Sequence, residues 1–333
     1  MDLNKEKSEE ILTSSSLWPE SINSSIKFPK KGFHELLADM GWKFSDWISF
    51  WMSLDAENLA SNYWSKGTRK DWVWGLGIPL LTQIKNSCNL ENSKRIIGIS
   101  ALPGCGKSSL GRWLEESSNQ IGIDINVISL DDFYFTGEEL DKVMKDNPWN
   151  VPRGIPGSHD IQLLEDTILQ WIDSGKLLAP KFDKSLRNGM GDRSTWINTQ
   201  PKILIIEGWF LGCKPLKVKG NKTDLFTPKL TDLEIKYREK IQHSLKQYLP
   251  IWELIHRIWH IRATDFSSTF KWKVDQENEM FHQRGSALQG KSLKTFVRMI
   301  ETAIPQESLN TIDSSVLIDI NQLREILYVG RPF

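Results

Sequence analysis

The chain has 333 residues, 39% of them apolar and 25% charged, which is ordinary globular composition and enough to bury a sizeable core. Lysine plus arginine equals aspartate plus glutamate at 42 each, so no overall field draws in a nucleic-acid backbone or an anionic membrane, and any anion must be held at a local site. The three cysteines, Cys88, Cys105 and Cys213, lack metal-ligand spacing, which argues against a disulfide framework and for a reducing compartment.

The opening MDLNKEKSEE leads into no secretory apolar stretch and lacks the Arg-rich, acid-poor pattern of a transit peptide. No apolar run approaches the roughly 18 residues of a membrane span. The expectation is a cytoplasmic protein with no membrane and no nucleic-acid partner, monomeric or at most a weak homo-oligomer. Residues 1–26, rich in Ser, Asn, Lys and Glu, read as a flexible or loosely docked arm. Residues 27–92 read as an α-helical segment, because Leu36, Leu37, Met40, Trp47, Trp51, Leu54 and Leu59 mostly recur at helical spacing. Seven of the 15 tryptophans fall in the first 74 residues. They could line a partner-binding face, but helix-spaced aromatics are more commonly core.

At Arg95 the pattern changes to a short β-branched run, RIIGISA, then a glycine-rich turn and the helix-compatible SLGRWLEES. INVISL, KILIIEG, IWHIRAT and SSVLIDI are further candidate strands, separated by helical stretches such as IQLLEDTILQWI. Strands alternating with helices predict an α/β fold with a mostly parallel sheet flanked by helices over residues 93–333. In such a sheet the functional loops gather at the carboxyl ends of the strands.

The residues that follow the first strand, Ala101, Leu102, Pro103, Gly104, Cys105, Gly106, Lys107 and Ser108, fit the P-loop pattern GxxxxGK(S/T) with alanine in place of the first glycine. Gly104 and Gly106 allow backbone N–H groups to turn inward around phosphate oxygens, and the helix that follows adds its positive end. Lys107 would reach the β- and γ-phosphates, Ser108 would ligate Mg2+, and Ser109 extends the loop. Glu207, ending KILIIEG, takes the place of the second magnesium-site group. Asn221, Lys222, Thr223 and Asp224 spell a guanine-reading motif, but no apolar strand precedes them and no DxxG switch segment is present, so a polar loop is the preferred reading. Cys105 sits near a helix N-terminus and Lys107, where a thiol pKa can fall; the plainer reading is a small residue filling the loop.

Asp131 and Asp132 follow the second strand, on the same edge as the phosphate loop. Phosphoryl transfer to an alcohol needs a carboxylate to orient the attacking hydroxyl and accept its proton, and Asp131 is the candidate. The P-loop, the DDFY stretch and the strand-ending Glu-Gly together resemble the kinase superfamily that contains phosphoribulokinase, uridine kinase and pantothenate kinase. RGIPGSHD at 153–160, PKFDKSLRNGMGDR at 180–193 and EGWFLG at 207–212 resemble, within it, the D-glycerate 3-kinases of plants, fungi and cyanobacteria. That resemblance runs from about Arg95 to Ile320 and is weak before residue 90. It implies transfer of the ATP γ-phosphate to D-glycerate, in photosynthetic cells as part of photorespiratory carbon salvage, with ATP and Mg2+ as cofactors.

The same segments supply acceptor-site candidates: Arg153, His159, Asp160, Lys181, Asp183, Lys184 and Arg193. Asp160 could equally cap the helix it begins, and His159 could be structural. Arg193 first and Arg153 second suit a bidentate grip on a carboxylate. The stretch WKVDQENEMFHQRGSALQGKS resembles the family's lid, near 272–292, with Arg284 as its cation toward ATP. A sister kinase acting on uridine, pantothenate or a sugar phosphate is the alternative within the superfamily. A P-loop regulatory protein that uses ATP only as a switch is the alternative outside it.

Overall fold

The computed structural model describes Trp18, Ile26 and residues 28–64, 70–216, 226–284 and 288–333. The NKTD stretch at 221–224 lies outside them. Five of the strands are those expected from the sequence: β1 (Ile96–Ala101), β2 (Ile125–Ser129), β5 (Ile203–Gly208), β6 (Arg257–Ala263) and β7 (Val316–Ile320). They form a parallel sheet in the order β2-β5-β1-β6-β7, and the short strand β8 (Ile326–Gly330) adds antiparallel to β7. β1 and β5 are buried at every position, which explains why they read as continuous apolar runs instead of alternating ones.

Parallel pairing of Ile99 with Glu207 and of Ser129 with Glu207 brings the carboxyl ends of β1, β5 and β2 to one edge. The phosphate loop, the Asp131 turn and Glu207 therefore meet there. A separate antiparallel hairpin, β3 (Leu177–Asp183) with β4 (Asp192–Thr199), stands beside that edge. Asp132 anchors it, accepting from the Phe182 amide at 3.2 Å and pairing with Lys181 at 2.8 Å. Asp132 also completes a capping box with Ser129 around the turn Leu130–Phe133.

The N-terminal segment is helical, with helices at Lys30–Asp39, Phe44–Ser53 and Ile78–Ser87. Most of its tryptophans are buried. Trp47, Trp51 and Trp74 are fully buried, and the first two both donate to the Thr82 hydroxyl, at 2.8 and 2.9 Å. The segment does not stand apart from the sheet: one continuous apolar cluster runs from Trp18 to Val329. Trp113, on the phosphate-loop helix (Lys107–Gln120), donates to the Leu59 carbonyl at 3.0 Å and stacks on Trp64 with ring centroids 4.5 Å apart. No helix among the described residues is long and apolar enough to cross a membrane.

Candidate active site

A cleft of about 680 Å3 opens over the carboxyl edge of the sheet. Its floor is the phosphate loop, whose turn needs two left-handed residues, Gly104 at φ +80 and Gly106 at φ +109. Gly104 is needed twice over, because a Cβ there would lie 2.7 Å from the backbone of Trp272 on the helix Ser268–Arg284. Lys107 folds over the loop and donates to the Ala101 carbonyl at 2.7 Å and the Leu102 carbonyl at 3.2 Å. Ser108 donates to Glu207 at 3.3 Å, so a hydroxyl and a carboxylate converge where a phosphate-bound cation would sit. Burial raises the Glu207 carboxyl above its ordinary range against the pull of Lys107. That is the state of a buried acid that gains from a divalent cation.

Asp131 lies on the cleft wall, with Lys184 at 2.6 Å from one oxygen and the Tyr134 hydroxyl at 2.7 Å from the other. Burial works against its ionised form, but the Lys184 charge, the hydrogen bonds from Lys184 and Tyr134, and nearby His159 hold its carboxyl far below the usual carboxylate range. Lys184 responds in kind: burial disfavours its charge, the Asp131 carboxylate more than offsets this, and its pKa rises. Asp183 helps to place Lys184, accepting from the Ser185 amide and hydroxyl at 2.8 and 2.6 Å.

The other expected acceptor residues are not among those lining the cleft. Arg193 has its guanidinium committed to Asp160 at 2.7 Å and to the Tyr134 carbonyl at 3.0 Å. Asp160 accepts from the Leu163 amide as a helix cap with its other oxygen. Arg153 donates to the Gly189 and Met190 carbonyls and lies over the Phe182 ring. His159 is buried behind Asp131, stacked on Tyr134 and hydrogen-bonded through Nδ1 to the Tyr248 hydroxyl at 2.8 Å. Burial brings its pKa down to about 4. These four residues therefore hold the turn and hairpin that present Asp131 and Lys184.

Arg284 is the last residue of its helix, and its side chain lies outside the described residues. From the same helix, Lys273 does line the cleft; it pairs with Glu277 at 2.5 Å and lies over the Phe296 ring. Sequence reasoning also passed over Arg112, Tyr63, Trp72 and Arg324, all of which line the cleft. Arg324 follows the apolar run of β7, where a functional loop is expected. The aromatics gave no signal apart from their helix spacing. Cys105 is buried, and burial pushes its thiol pKa up despite Lys107, which removes the basis for a reactive thiolate.

No family model matches the chain. It is 27% identical over 254 residues to the Schizosaccharomyces pombe protein named uncharacterized kinase mug58, spanning 72% of this chain and 90% of that one. To the chloroplastic D-glycerate 3-kinase of Arabidopsis thaliana it is 30% identical over 242 residues, 66% of this chain but only 51% of the relative. In structure it is similar to D-glycerate 3-kinase from Cryptococcus neoformans, with a TM-score of 0.60 at 24% identity over 76% of this chain and 99% of the other. A phosphate loop at the head of a parallel sheet, in a chain related to kinases, makes this enzyme a P-loop kinase. Within that class, proteins named D-glycerate 3-kinase are among those it is similar to in sequence and in fold.

Proposed function

We propose that the protein transfers the γ-phosphate of ATP to D-glycerate, giving 3-phospho-D-glycerate. The observation that carries this reading is the Asp131–Lys184 pair, a carboxylate and an ammonium 2.6 Å apart on the wall of the cleft that the phosphate loop floors. A hydroxy acid suits that pair. Its carboxylate can rest on the lysine while its hydroxyl donates to Asp131, and the fixed spacing aims the hydroxyl at the donor. The Arabidopsis relative bears the name of that activity.

The residues present fit Mg-ATP. The loop amides from Gly104 to Ser109 and the Lys107 ammonium would hold the β- and γ-phosphates, and Ser108 and Glu207 would hold the metal, whose chemistry is to neutralise phosphate charge. Asp131 orients the acceptor hydroxyl and takes its proton late, since a strongly depressed pKa makes it a weak base and a loose transition state asks little basicity of it. We assign the acceptor carboxylate to Lys184, with Lys273 beside it, in place of Arg193 and Arg153, whose guanidinium groups are engaged elsewhere. The test is product identification after incubation with Mg-ATP and a panel of D-glycerate, glycerol, uridine, pantothenate and a sugar phosphate. Phosphorylation of D-glycerate well above glycerol is expected. Preference for any other member of the panel would overturn the assignment.

A further inference from the structure

Part of the cleft's lining comes from the N-terminal segment. Asn62, Tyr63, Trp64 and Trp72 line it together with Arg112 on the phosphate-loop helix and Arg324 on the β7–β8 turn. This wall is built into the site. The Trp72 indole donates to the Arg324 carbonyl at 2.6 Å, and the Arg324 guanidinium donates to the Gly104 carbonyl at 2.9 Å. Asp71 accepts from the Ile326 amide at 3.2 Å, fixing the same turn from the other side. A Cβ on Gly106 would meet the Trp72 ring at 3.9 Å, so the ring stands beside the loop that would hold the phosphates.

A triphosphate seated with its γ-phosphate toward Asp131 and Glu207 leaves its nucleoside end to the remaining lining of the same cleft. There it meets aromatic rings and guanidinium groups. These are the side chains that bind a planar base by stacking and by cation–π attraction, with little demand on its edge. Trp64 has one face covered by Trp113 and Trp72 is buried, whereas Tyr63 is 46% exposed and offers a free face to the cleft.

We infer that the N-terminal segment is the nucleoside-binding wall of the donor site, with Tyr63 stacking on the base. The inference rests on the proposed ATP donor site. It gives the tryptophan-rich segment a role in the chemistry of this chain, in addition to its role in the core. Asn62 at the rim can hydrogen-bond the base or ribose edge.

The experiment measures binding of Mg-ATP and of inorganic tripolyphosphate with Mg2+ by calorimetry, to wild type, Tyr63→Ala and Tyr63→Phe. Tyr63 is exposed enough for both variants to fold, which thermal melts check. Tyr63→Ala is expected to weaken ATP roughly tenfold, leave tripolyphosphate within about twofold, and be rescued by Tyr63→Phe. Unchanged ATP affinity in Tyr63→Ala would overturn the inference. Equal loss for both ligands would do so too, since it would mean that Tyr63 only props the phosphate loop. Wild type that binds neither ligand would remove the donor site itself, a failure of the ATP reading that is distinct from the other two.

Discussion

Three residues carry the proposed chemistry most directly, and each has a separable signature. Lys107→Ala is expected to lower turnover by at least about a hundredfold, with the melting temperature within a few degrees of wild type, because its bonds are to loop carbonyls and its contribution is local. Asp131→Asn is expected to keep ATP affinity and lose turnover by roughly 10²- to 10⁴-fold; a switch protein would lose nothing measurable. The Lys184 charge keeps Asp131 ionised well into acid, so the acidic limb of kcat/KM in wild type is not set by this carboxyl. Lys184→Ala removes the partner, and the limb is expected to move to higher pH in a pH–rate profile. Stability has its own pH dependence. His159 has an ordinary pKa of 6.5 and one of about 4 in the fold, held down by burial. The unfolded chain therefore binds the extra proton first, and His159's contribution is complete above 6.5 and lost as pH falls toward 4. His159→Gln is expected to flatten the fall in melting temperature over that window.

Among the elements, the parallel strands were legible because β1, β5 and β7 are buried on both faces and all five are short, largely apolar runs bounded by turn or helix signals. β3 and β4 were not legible. β3 contains Pro180, β4 is largely solvent-facing, and the pair is held by Asp132 and Lys181 and has little apolar pattern to show. The helices of the N-terminal segment were legible from spacing, but the bond that joins two of them was not. Thr82 receives both the Trp47 and the Trp51 indole N–H inside the core. Thr82→Val keeps the volume and removes the one oxygen that accepts from both indoles, so denaturant unfolding is expected to show a loss of roughly 2–5 kcal/mol, the cost of two buried donors left unpaired. A loss near zero would mean that the indoles find other partners.

At the scale of the whole molecule, the N-terminal segment and the sheet share one core, and the site is assembled across both. Deletion of residues 1–92 removes the partners of Trp113 and of Arg324 and uncovers apolar helix and sheet surface. The truncated chain is expected to be insoluble or unfolded by circular dichroism, and not a free-standing kinase domain. The sequence by itself placed the phosphate loop, Glu207 and Asp131 at strand ends on one edge, where they line the cleft, because each follows directly from an apolar run and needs no distant neighbour to be located. It also determined the fold class, since alternating strands and helices leave few topologies open. Only the tertiary structure decided which cations face the cleft. Lys184, Lys273, Arg193 and Arg153 are equivalent as charges in a string of letters, and what separates them is place: Lys184 and Lys273 line the cleft, whereas Arg193 is held by Asp160 and Arg153 by the Gly189 and Met190 carbonyls away from its lining. The nucleoside wall was hidden for the same reason. Tyr63 and Trp72 lie 38 and 29 residues before the loop they flank, and only chain closure through the β7–β8 turn brings them beside it.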